Sequence, residues 1–131
     1  MTREVMIVVR RGDEFLVAHR VPQQGGYWHT IAGGVEEGED WRDAAARELE
    51  EETGLTGVEL REAGAFEYQR EEWESYPGMH VLVRAFATEA PAGWEPVLDH
   101  EHDEYRWCSA SVAAELLYWP EPAQVLLEVA Q

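Results

Sequence analysis

Short apolar segments separated by turn residues make up the first quarter of the chain. Residues 5–9 and 15–18 are apolar and strand-forming, and residues 11–13 between them have the composition of a turn, so the pattern predicts a β-hairpin. Residues 21–26 are rich in glycine, glutamine and proline and predict a loop. Residues 27–32 then predict a further short strand.

A glycine-rich loop and one long helix follow. Gly33 and Gly34 predict the loop, Asp40 is a good N-cap, and Gly54 is a good C-terminal stop for the helix. The remaining pattern predicts strands over residues 60–68, 80–88 and 105–108 and helices over residues 109–117 and 123–129. This order of elements predicts one α+β domain, residues 1–131, with a mixed sheet.

The chain is strongly acidic, with 10 Lys and Arg residues against 27 Asp and Glu residues and a formal charge of −17. A surface of this sign repels polyanions, so nucleic-acid polymers and anionic membranes are not expected as main partners. The apolar runs are too short to cross a bilayer, and the N-terminal sequence lacks the features of a signal peptide. Cys108 is the only cysteine, which excludes an internal disulfide, favours a buried apolar role and fits a cytoplasmic location.

Three glutamates crowd the last turns of the predicted helix. Glu48 lies three residues before Glu51 and four before Glu52, so the three share a face. Each like-charge pair costs about 0.2–0.5 kcal/mol on an isolated helix, and the helix dipole disfavours anions there by up to about 1 kcal/mol. Arg47 offsets only part of this repulsion, through Glu51. Either the face is simply solvated, or a hard divalent cation such as Mg²⁺ binds between the carboxylates.

The spacing of these residues matches a known signature. Nine specified positions are filled, namely Gly33, Glu39, Arg47, Glu48, Leu49, Glu51, Glu52, Gly54 and Leu55. In this pattern the chain resembles the Nudix hydrolases, the MutT-like family. The resemblance implies the Nudix fold, a mixed β-sheet sandwiched between helices. It also implies a catalytic loop–helix–loop that cradles a pyrophosphate and its divalent metals.

The same resemblance implies roles for single residues. The implied metal ligands are the carbonyl of Gly33 and the carboxylates of Glu39, Glu48, Glu51 and Glu52. The implied cofactor is Mg²⁺, with Mn²⁺ as an alternative. Glu48 or Glu51 would also act in catalysis, one of the helix glutamates serving as a base through water, while Arg47 orients a glutamate by a salt bridge. Gly34 would let the backbone approach the substrate closely.

A second resemblance concerns residues 101–107, which read EHDEYRW. They are similar to the E-H-x-x-Y-[KR]-W stretch of the Nudix branch that includes dihydroneopterin triphosphate and dATP pyrophosphohydrolases. This similarity implies that Glu101 joins the metal cluster or serves as the base. Glu121 and Pro122 stand where that branch has an asparagine-like residue, so the chain departs from the pattern there.

Histidines and aromatic residues near these motifs have expected supporting roles. His100 and His102 could suggest zinc, but the glutamate cluster is all oxygen, which argues against it. His29 is expected to be structural or to line a pocket. Stacking on a base or pterin ring is worth about 1–3 kcal/mol per ring, and Trp28 is the first candidate for it. The other aromatic residues that flank the site in sequence are Tyr27, Phe66, Tyr68, Trp73 and Tyr76.

The expected function is a divalent-metal-dependent pyrophosphohydrolase. It would cleave the phosphoanhydride of a small nucleoside or pterin triphosphate by attack of water on phosphorus. Hydrolysis of ADP-ribose, a dinucleoside polyphosphate or an oxidised nucleotide is the alternative within the class, whereas the charge disfavours RNA caps. A catalytically silent, nucleotide-sensing Nudix domain is the alternative of another class. The resemblance also leaves a homodimer open.

Overall fold

The computed structural model of the protein describes residues 2–70 and 79–131. Seven strands and three α-helices lie in these ranges, together with a short 3-10 turn over Pro22–Gln24. The strands are β1 Thr2–Arg11, β2 Glu14–Arg20, β3 Trp28–His29, β4 Ile31–Gly34, β5 Arg61–Arg70, β6 Met79–Glu89 and β7 His102–Cys108. The helices are α1 Trp41–Thr53, α2 Ala110–Leu116 and α3 Pro120–Ala130.

All seven strands form one mixed sheet. The main path runs β3-β2-β1-β6-β5, while β4 pairs with β1 and β7 pairs with β2. The long β1–β6 pair is parallel, from Thr2 opposite Val81 to Arg10 opposite Glu89, and the other pairs are antiparallel. The predicted α+β class with a mixed sheet is therefore confirmed.

The two faces of the sheet bury separate apolar clusters. Helix α1 contributes Ala44, Ala45 and Leu49 to the first cluster, as the sequence predicts for residues spaced on one helix face. Helices α2 and α3 cover the second cluster, which also holds the buried Cys108. The sheet is thus sandwiched between helices. No helix in the described ranges is long and apolar enough to cross a membrane.

Gly33 and Gly34 are the clearest departure from the predicted elements. The sequence predicts a loop at these glycines, but they end strand β4, with Gly33 opposite Val5 and Gly34 opposite Glu4 on β1. The prediction was wrong because strand pairing with a distant partner fixes this segment, and local composition does not show that partner. The structure fixes the position of Gly33 against helix α1, which a free loop would not do.

Several further boundaries differ from the sequence expectation, and strands β1 and β7 each begin three residues earlier than predicted. Residues 27–32 form two short strands, β3 and β4, rather than one. Helix α3 begins at Pro120, three residues earlier than predicted, because proline is well suited to the first turn of a helix. Most of the predicted polar link at residues 69–78 lies outside the described residues, and so do Trp73 and Tyr76.

Candidate active site

Helix α1 carries the glutamate cluster and has well-formed ends. The Asp40 side chain accepts a hydrogen bond from the Asp43 N–H at 2.9 Å, so it caps the N-terminus. Gly54 ends the helix with φ at 82°, and its N–H donates to the Glu50 carbonyl. On the last turns of the helix, Glu48 and Glu52 are mostly buried, whereas Glu50 and Glu51 are exposed.

Arg47 forms most of the polar contacts between the signature residues. Its guanidinium binds both carboxylate oxygens of Glu39, at 2.8 and 2.9 Å. It also donates to Glu48 at 2.8 Å, to Glu51 at 3.3 Å and to the Gly34 carbonyl at 2.8 Å. The structure therefore brings four of the other predicted site residues together around the Arg47 guanidinium. The two-pronged bond to Glu39 needs the planar fork of arginine.

The contact with Arg47 changes the acidity of Glu39. Hydrogen bonds from the Arg47 side chain, and then from the Glu36 N–H, lower the pKa of Glu39 from 4.5 to about 2. A lowered pKa means that Glu39 contributes to stability above about pH 4.5 and that the contribution is lost as the pH falls toward 2. Because Glu39 is ionised at neutral pH, it keeps Arg47 in place.

We expect Arg47→Lys to raise the pKa of Glu39 from about 2 toward 4.5, because lysine cannot form the two-pronged bond. A carboxyl ¹³C NMR titration measures this change directly. Arg42→Lys is the matched control, since Arg42 lies on the same helix and binds the Leu60 carbonyl instead. An unchanged Glu39 titration in Arg47→Lys would show that charge alone, and not the guanidinium geometry, sets the pKa.

The Gly33 backbone and the Glu48 carboxylate are in very close contact. A Cβ atom added at Gly33 would lie 2.1 Å from the carboxyl carbon of Glu48 and 2.3 and 2.4 Å from its oxygens. The Glu48 side chain is mostly buried, with 14% of it exposed. Glycine is therefore required at position 33 for this carboxylate to occupy its observed place.

Glu52 is the buried member of the cluster. It is 3% exposed, and its Oε1 has no hydrogen-bond partner among the described residues. Burial, then a hydrogen bond with Glu48 and charge repulsion from Glu48 and Asp99, raise the pKa of Glu52 from 4.5 to about 10. A buried carboxyl group with an unpartnered oxygen next to a second carboxyl group costs stability unless a cation or a proton is present.

We expect Glu52→Gln to stabilise the protein in the absence of divalent cations. At pH 8 and with EDTA the free energy of unfolding should rise by about 1–3 kcal/mol, because folding at this pH requires Glu52 to take up a proton, whereas the neutral amide needs none and can still donate to Glu48. A raised pKa means that the Glu52 contribution to stability is full below about pH 4.5 and is lost as the pH rises toward 10. Urea unfolding at pH 5 and pH 8 should therefore show the larger gain at pH 8.

Glu50→Gln is the control for this stability measurement, because Glu50 is exposed on the same helix. A gain of equal size at both pH values, or the same gain in Glu50→Gln, would contradict a buried proton at Glu52.

Two buried histidines, which the sequence analysis did not place in the metal cluster, lie against Glu52. His102 Nε2 is 3.6 Å from Glu52 Oε1 and 2.8 Å from Nε2 of His29. The two imidazole rings stack at 5.0 Å. Burial, followed by charge repulsion from Arg20, lowers the pKa of His29.

The sequence gives no direct signal for the meeting of His29 and His102. Strand β2 pairs with both β3 and β7, so that Ala18 lies opposite His29 and Arg20 lies opposite His102. A pattern of single residues does not reveal which strands are neighbours. Only the pairing of β2 on both of its edges brings two histidines that are 73 residues apart into contact.

Glu101 directly precedes His102 in the chain, and its backbone is held by two hydrogen bonds. Its carbonyl accepts a hydrogen bond from the Val21 N–H at 2.9 Å, and its N–H donates to Asp99 at 3.3 Å. Among the described residues, no hydrogen bond joins its carboxylate to the helix glutamates. The predicted role of Glu101 in the cluster stays a prediction.

A cavity of about 410 Å³ lies beside the glutamate cluster, and Trp28 is not among the residues that line it. Trp28 packs against the second apolar cluster, with the His19 ring at 5.1 Å and the Arg106 guanidinium 4.8 Å above its ring. Side chains of neighbouring residues in extended backbone point to opposite faces, so the side chains before and after Trp28 point away from that of Trp28. Both of them, Tyr27 and His29, line the cavity.

The cavity of about 410 Å³ opens beside the cluster. Its aromatic lining residues are Tyr27, Phe66, Tyr68 and Trp119. Its polar lining includes Glu4, which accepts a hydrogen bond from Tyr68 at 2.8 Å, and Arg20, whose buried Nε has no partner among the described residues. Because His29 belongs both to the cavity wall and to the contact with Glu52, the cavity and the glutamate cluster are adjacent.

The residues at the cluster fit a divalent cation. Glu48, Glu51 and Glu52 offer carboxylate oxygens, which hard cations prefer. Among the described residues the Oε1 of Glu52 has no donor, while the Glu48 carboxylate next to Gly33 accepts from Arg47 through Oε1. These residues would hold the ion, and Arg47 would keep Glu39 and Glu48 oriented toward it.

Fold and site together define an α+β protein with an acidic candidate metal site on one helix. A family model described as NUDIX domain matches residues 1–129. The chain belongs to the Nudix family, and the expectation of a Nudix hydrolase is confirmed at the level of the family.

Curated relatives match this chain over part of their own length. The chain is 38% identical over 122 residues to an octanoyltransferase of Myxococcus xanthus, a match that covers 88% of this chain and 32% of that protein. It is 35% identical over 89 residues to the NAD-capped RNA hydrolase NudC of Yersinia enterocolitica, covering 68% of this chain and 31% of that protein. The chain spans about a third of the length of these relatives.

Solved structures with the same fold include hydrolases of several substrates. The dihydroneopterin triphosphate pyrophosphohydrolase of E. coli matches with a TM-score of 0.85 at 23% identity, over 98% of this chain and 94% of that one. An Ap4A hydrolase of C. elegans matches with a TM-score of 0.82 at 24% identity, over 99% of this chain and 96% of that one. At these identities the likeness establishes the fold.

Proposed function

We propose that this protein is a divalent-metal-dependent pyrophosphohydrolase that cleaves the phosphoanhydride of a small nucleoside or pterin triphosphate. The observation that carries the proposal is the buried Glu52 carboxyl group, whose Oε1 has no partner among the described residues and which lies against Glu48. Such an arrangement is costly in an empty protein and favourable when cations bind. Relatives named as NAD-capped RNA hydrolase and RNA pyrophosphohydrolase support phosphoanhydride cleavage.

Different residues of the site have different proposed roles in such a reaction. Arg47 orients Glu39 and Glu48, and Gly33 gives the Glu48 carboxylate its place. Glu48 is the proposed acceptor of the proton of the attacking water, with Glu101 as the other candidate. When bound, Mg²⁺ or Mn²⁺ would neutralise phosphate charge and make water more acidic. Attack at the α phosphorus would give a monophosphate and pyrophosphate.

The adjacent cavity supports a triphosphate with a flat ring system. Its volume, about 410 Å³, lies in the range of small-molecule sites, and its aromatic walls allow stacking. Arg20 offers a buried Nε–H, without a partner among the described residues, for an acceptor atom on the ligand. The Glu4 carboxylate offers an acceptor for ring N–H or amino groups. A 2-amino-4-oxo ring, as in guanine or pterin, carries both kinds of partner.

A panel of substrates tests this proposal. The protein with Mg²⁺ is incubated with dihydroneopterin triphosphate, dGTP, dATP, 8-oxo-dGTP, ADP-ribose, diadenosine tetraphosphate and a 5′-triphosphate RNA. We expect the highest kcat/KM for a pterin or purine nucleoside triphosphate, with release of pyrophosphate. Preference for the RNA would contradict the expectation that the acidic surface disfavours RNA substrates. Preference for ADP-ribose or for diadenosine tetraphosphate would show that the proposed substrate class is wrong.

A further inference from the structure

Three buried donor groups from distant parts of the chain come together around the Glu52 carboxylate. His29, Glu52 and His102 each offer one ligand atom, and these atoms lie within 4.8 Å of one another. The side chain of His102 is fully buried, that of Glu52 is 4% exposed, and His29 is 6% exposed. Two imidazoles and one carboxylate, held together out of solvent, form a donor set that differs from the all-oxygen signature cluster.

The orientation of His102 is fixed from its other side. Its Nδ1 lies 2.7 Å from Oδ1 of Asp99, and since a carboxylate oxygen accepts hydrogen bonds, we assign the ring N–H to Nδ1. In that tautomer the lone pair is on Nε2, the atom that lies close to both His29 and Glu52. A carboxylate that holds a histidine in this way is the usual second layer around a metal-binding imidazole.

Two of the three donor separations are close to those of ligands on one metal ion, and all three are within 4.8 Å. The two Nε2 atoms are 2.8 Å apart, and Nε2 of His102 is 3.6 Å from Oε1 of Glu52. Donor atoms bound to one ion at about 2.1 Å lie about 3.0–3.4 Å apart, for octahedral and tetrahedral geometry respectively. The rings must therefore separate by a few tenths of an ångström, as the proton they share gives way to the ion. Glu52 Oε1, which has no partner among the described residues, would gain one.

We propose that His29, His102 and Glu52 form a binding site for a borderline divalent transition-metal ion, with Co²⁺ and Zn²⁺ as the representative ions. The expectation against zinc considered His100 and His102 from the sequence alone. The structure instead pairs His102 with His29, and leaves His100 exposed. Glu52 would bridge the two kinds of site, since it lies against Glu48 as well as His102.

The donor set determines which ions such a site selects. Imidazole nitrogen favours Co²⁺ and Zn²⁺ over Mg²⁺, which takes oxygen ligands and keeps several waters. Because His29 also lines the cavity, an ion bound here would face a ligand in that cavity. This metal site shares Glu52 with the proposed hydrolytic centre. Metal binding is measured at equilibrium without substrate, so its test does not require the protein to hydrolyse anything.

Metal titration of matched variants tests the site. Co²⁺ is added to the metal-free protein without substrate, and binding is followed by visible absorption and calorimetry. We expect His29→Gln and His102→Gln to lower the affinity for Co²⁺ by more than about 100-fold, and Asp99→Asn by about 10–100-fold. Mg²⁺ affinity should be unchanged in the two histidine variants. His100→Gln, an exposed residue in the same loop, is the control and should bind Co²⁺ like the wild type.

A second measurement uses the wild-type protein alone and remains decisive if a variant does not fold. X-ray absorption of the protein with one equivalent of Zn²⁺ or Co²⁺ should show two imidazole ligands on the ion. Coordination by oxygen alone, or wild-type Co²⁺ affinity in folded His29→Gln and His102→Gln, would overturn the proposal. A protein that hydrolyses no substrate but binds Co²⁺ through two imidazoles would keep this site and reject the proposed function.

Discussion

Replacing Glu48 with glutamine is expected to lower kcat for triphosphate hydrolysis by about 10²–10⁴-fold, the range for loss of a positioned general base. Glutamine keeps the size of the side chain but removes the charge and the basic oxygen that lies against Gly33. The fold should remain intact, because Glu48 lies outside the two apolar clusters. Steady-state kinetics with saturating Mg²⁺ measure the loss, and circular dichroism checks the fold.

Two companion variants sharpen the Glu48 measurement. Glu50→Gln lies in the same helix turn on the exposed side and should retain wild-type kcat. Glu101→Gln examines the other proposed base. If Glu48→Gln keeps wild-type activity while Glu101→Gln loses it, the proton acceptor is Glu101 and the role assigned to Glu48 is wrong.

Gly33→Ala is expected to lower kcat by about 100-fold with little change in melting temperature. The added Cβ would lie 2.1 Å from the Glu48 carboxyl carbon, so the carboxylate must move away. Only the far end of a flexible side chain has to shift, which makes the cost in stability small. A displacement of about 1 Å in a catalytic group is enough for a loss of this size.

A double variant separates displacement of the carboxylate from other effects of the methyl group. In a Glu48→Ala background no carboxylate is left to displace, so Gly33→Ala should have no further effect on kcat. Independent, additive losses in the double variant would show that Gly33 acts through another contact. Wild-type activity in Gly33→Ala alone would contradict the observed seating of Glu48.

Much of the helix that carries the site follows from local sequence. Asp40 and Gly54 mark its ends because capping depends on neighbouring residues only, and the structure confirms both positions. Arg47 meets Glu51 through the four-residue spacing of a helix. These features need no knowledge of distant strands, which is why the pattern predicts them.

Contacts set by strand pairing could not be predicted in the same way. Gly33 was expected in a loop, but its pairing with Val5 makes it part of a strand. His29 and His102 meet only because β2 lies between β3 and β7. The predicted stacking residue Trp28 does not line the cavity, whereas its neighbour Tyr27 does. A shift of one residue in extended backbone moves a side chain to the opposite face.

The most direct measurement is ³¹P NMR of a purine or pterin triphosphate mixed with the protein in EDTA and then given excess Mg²⁺, with Glu48→Gln in parallel. We expect no change in EDTA, a pyrophosphate signal from the wild type once Mg²⁺ is added, and almost none from the variant. Cleavage in EDTA, equal cleavage by Glu48→Gln, or intact phosphoanhydrides across the whole substrate panel with both Mg²⁺ and Mn²⁺ would contradict a glutamate-based, metal-dependent pyrophosphohydrolase.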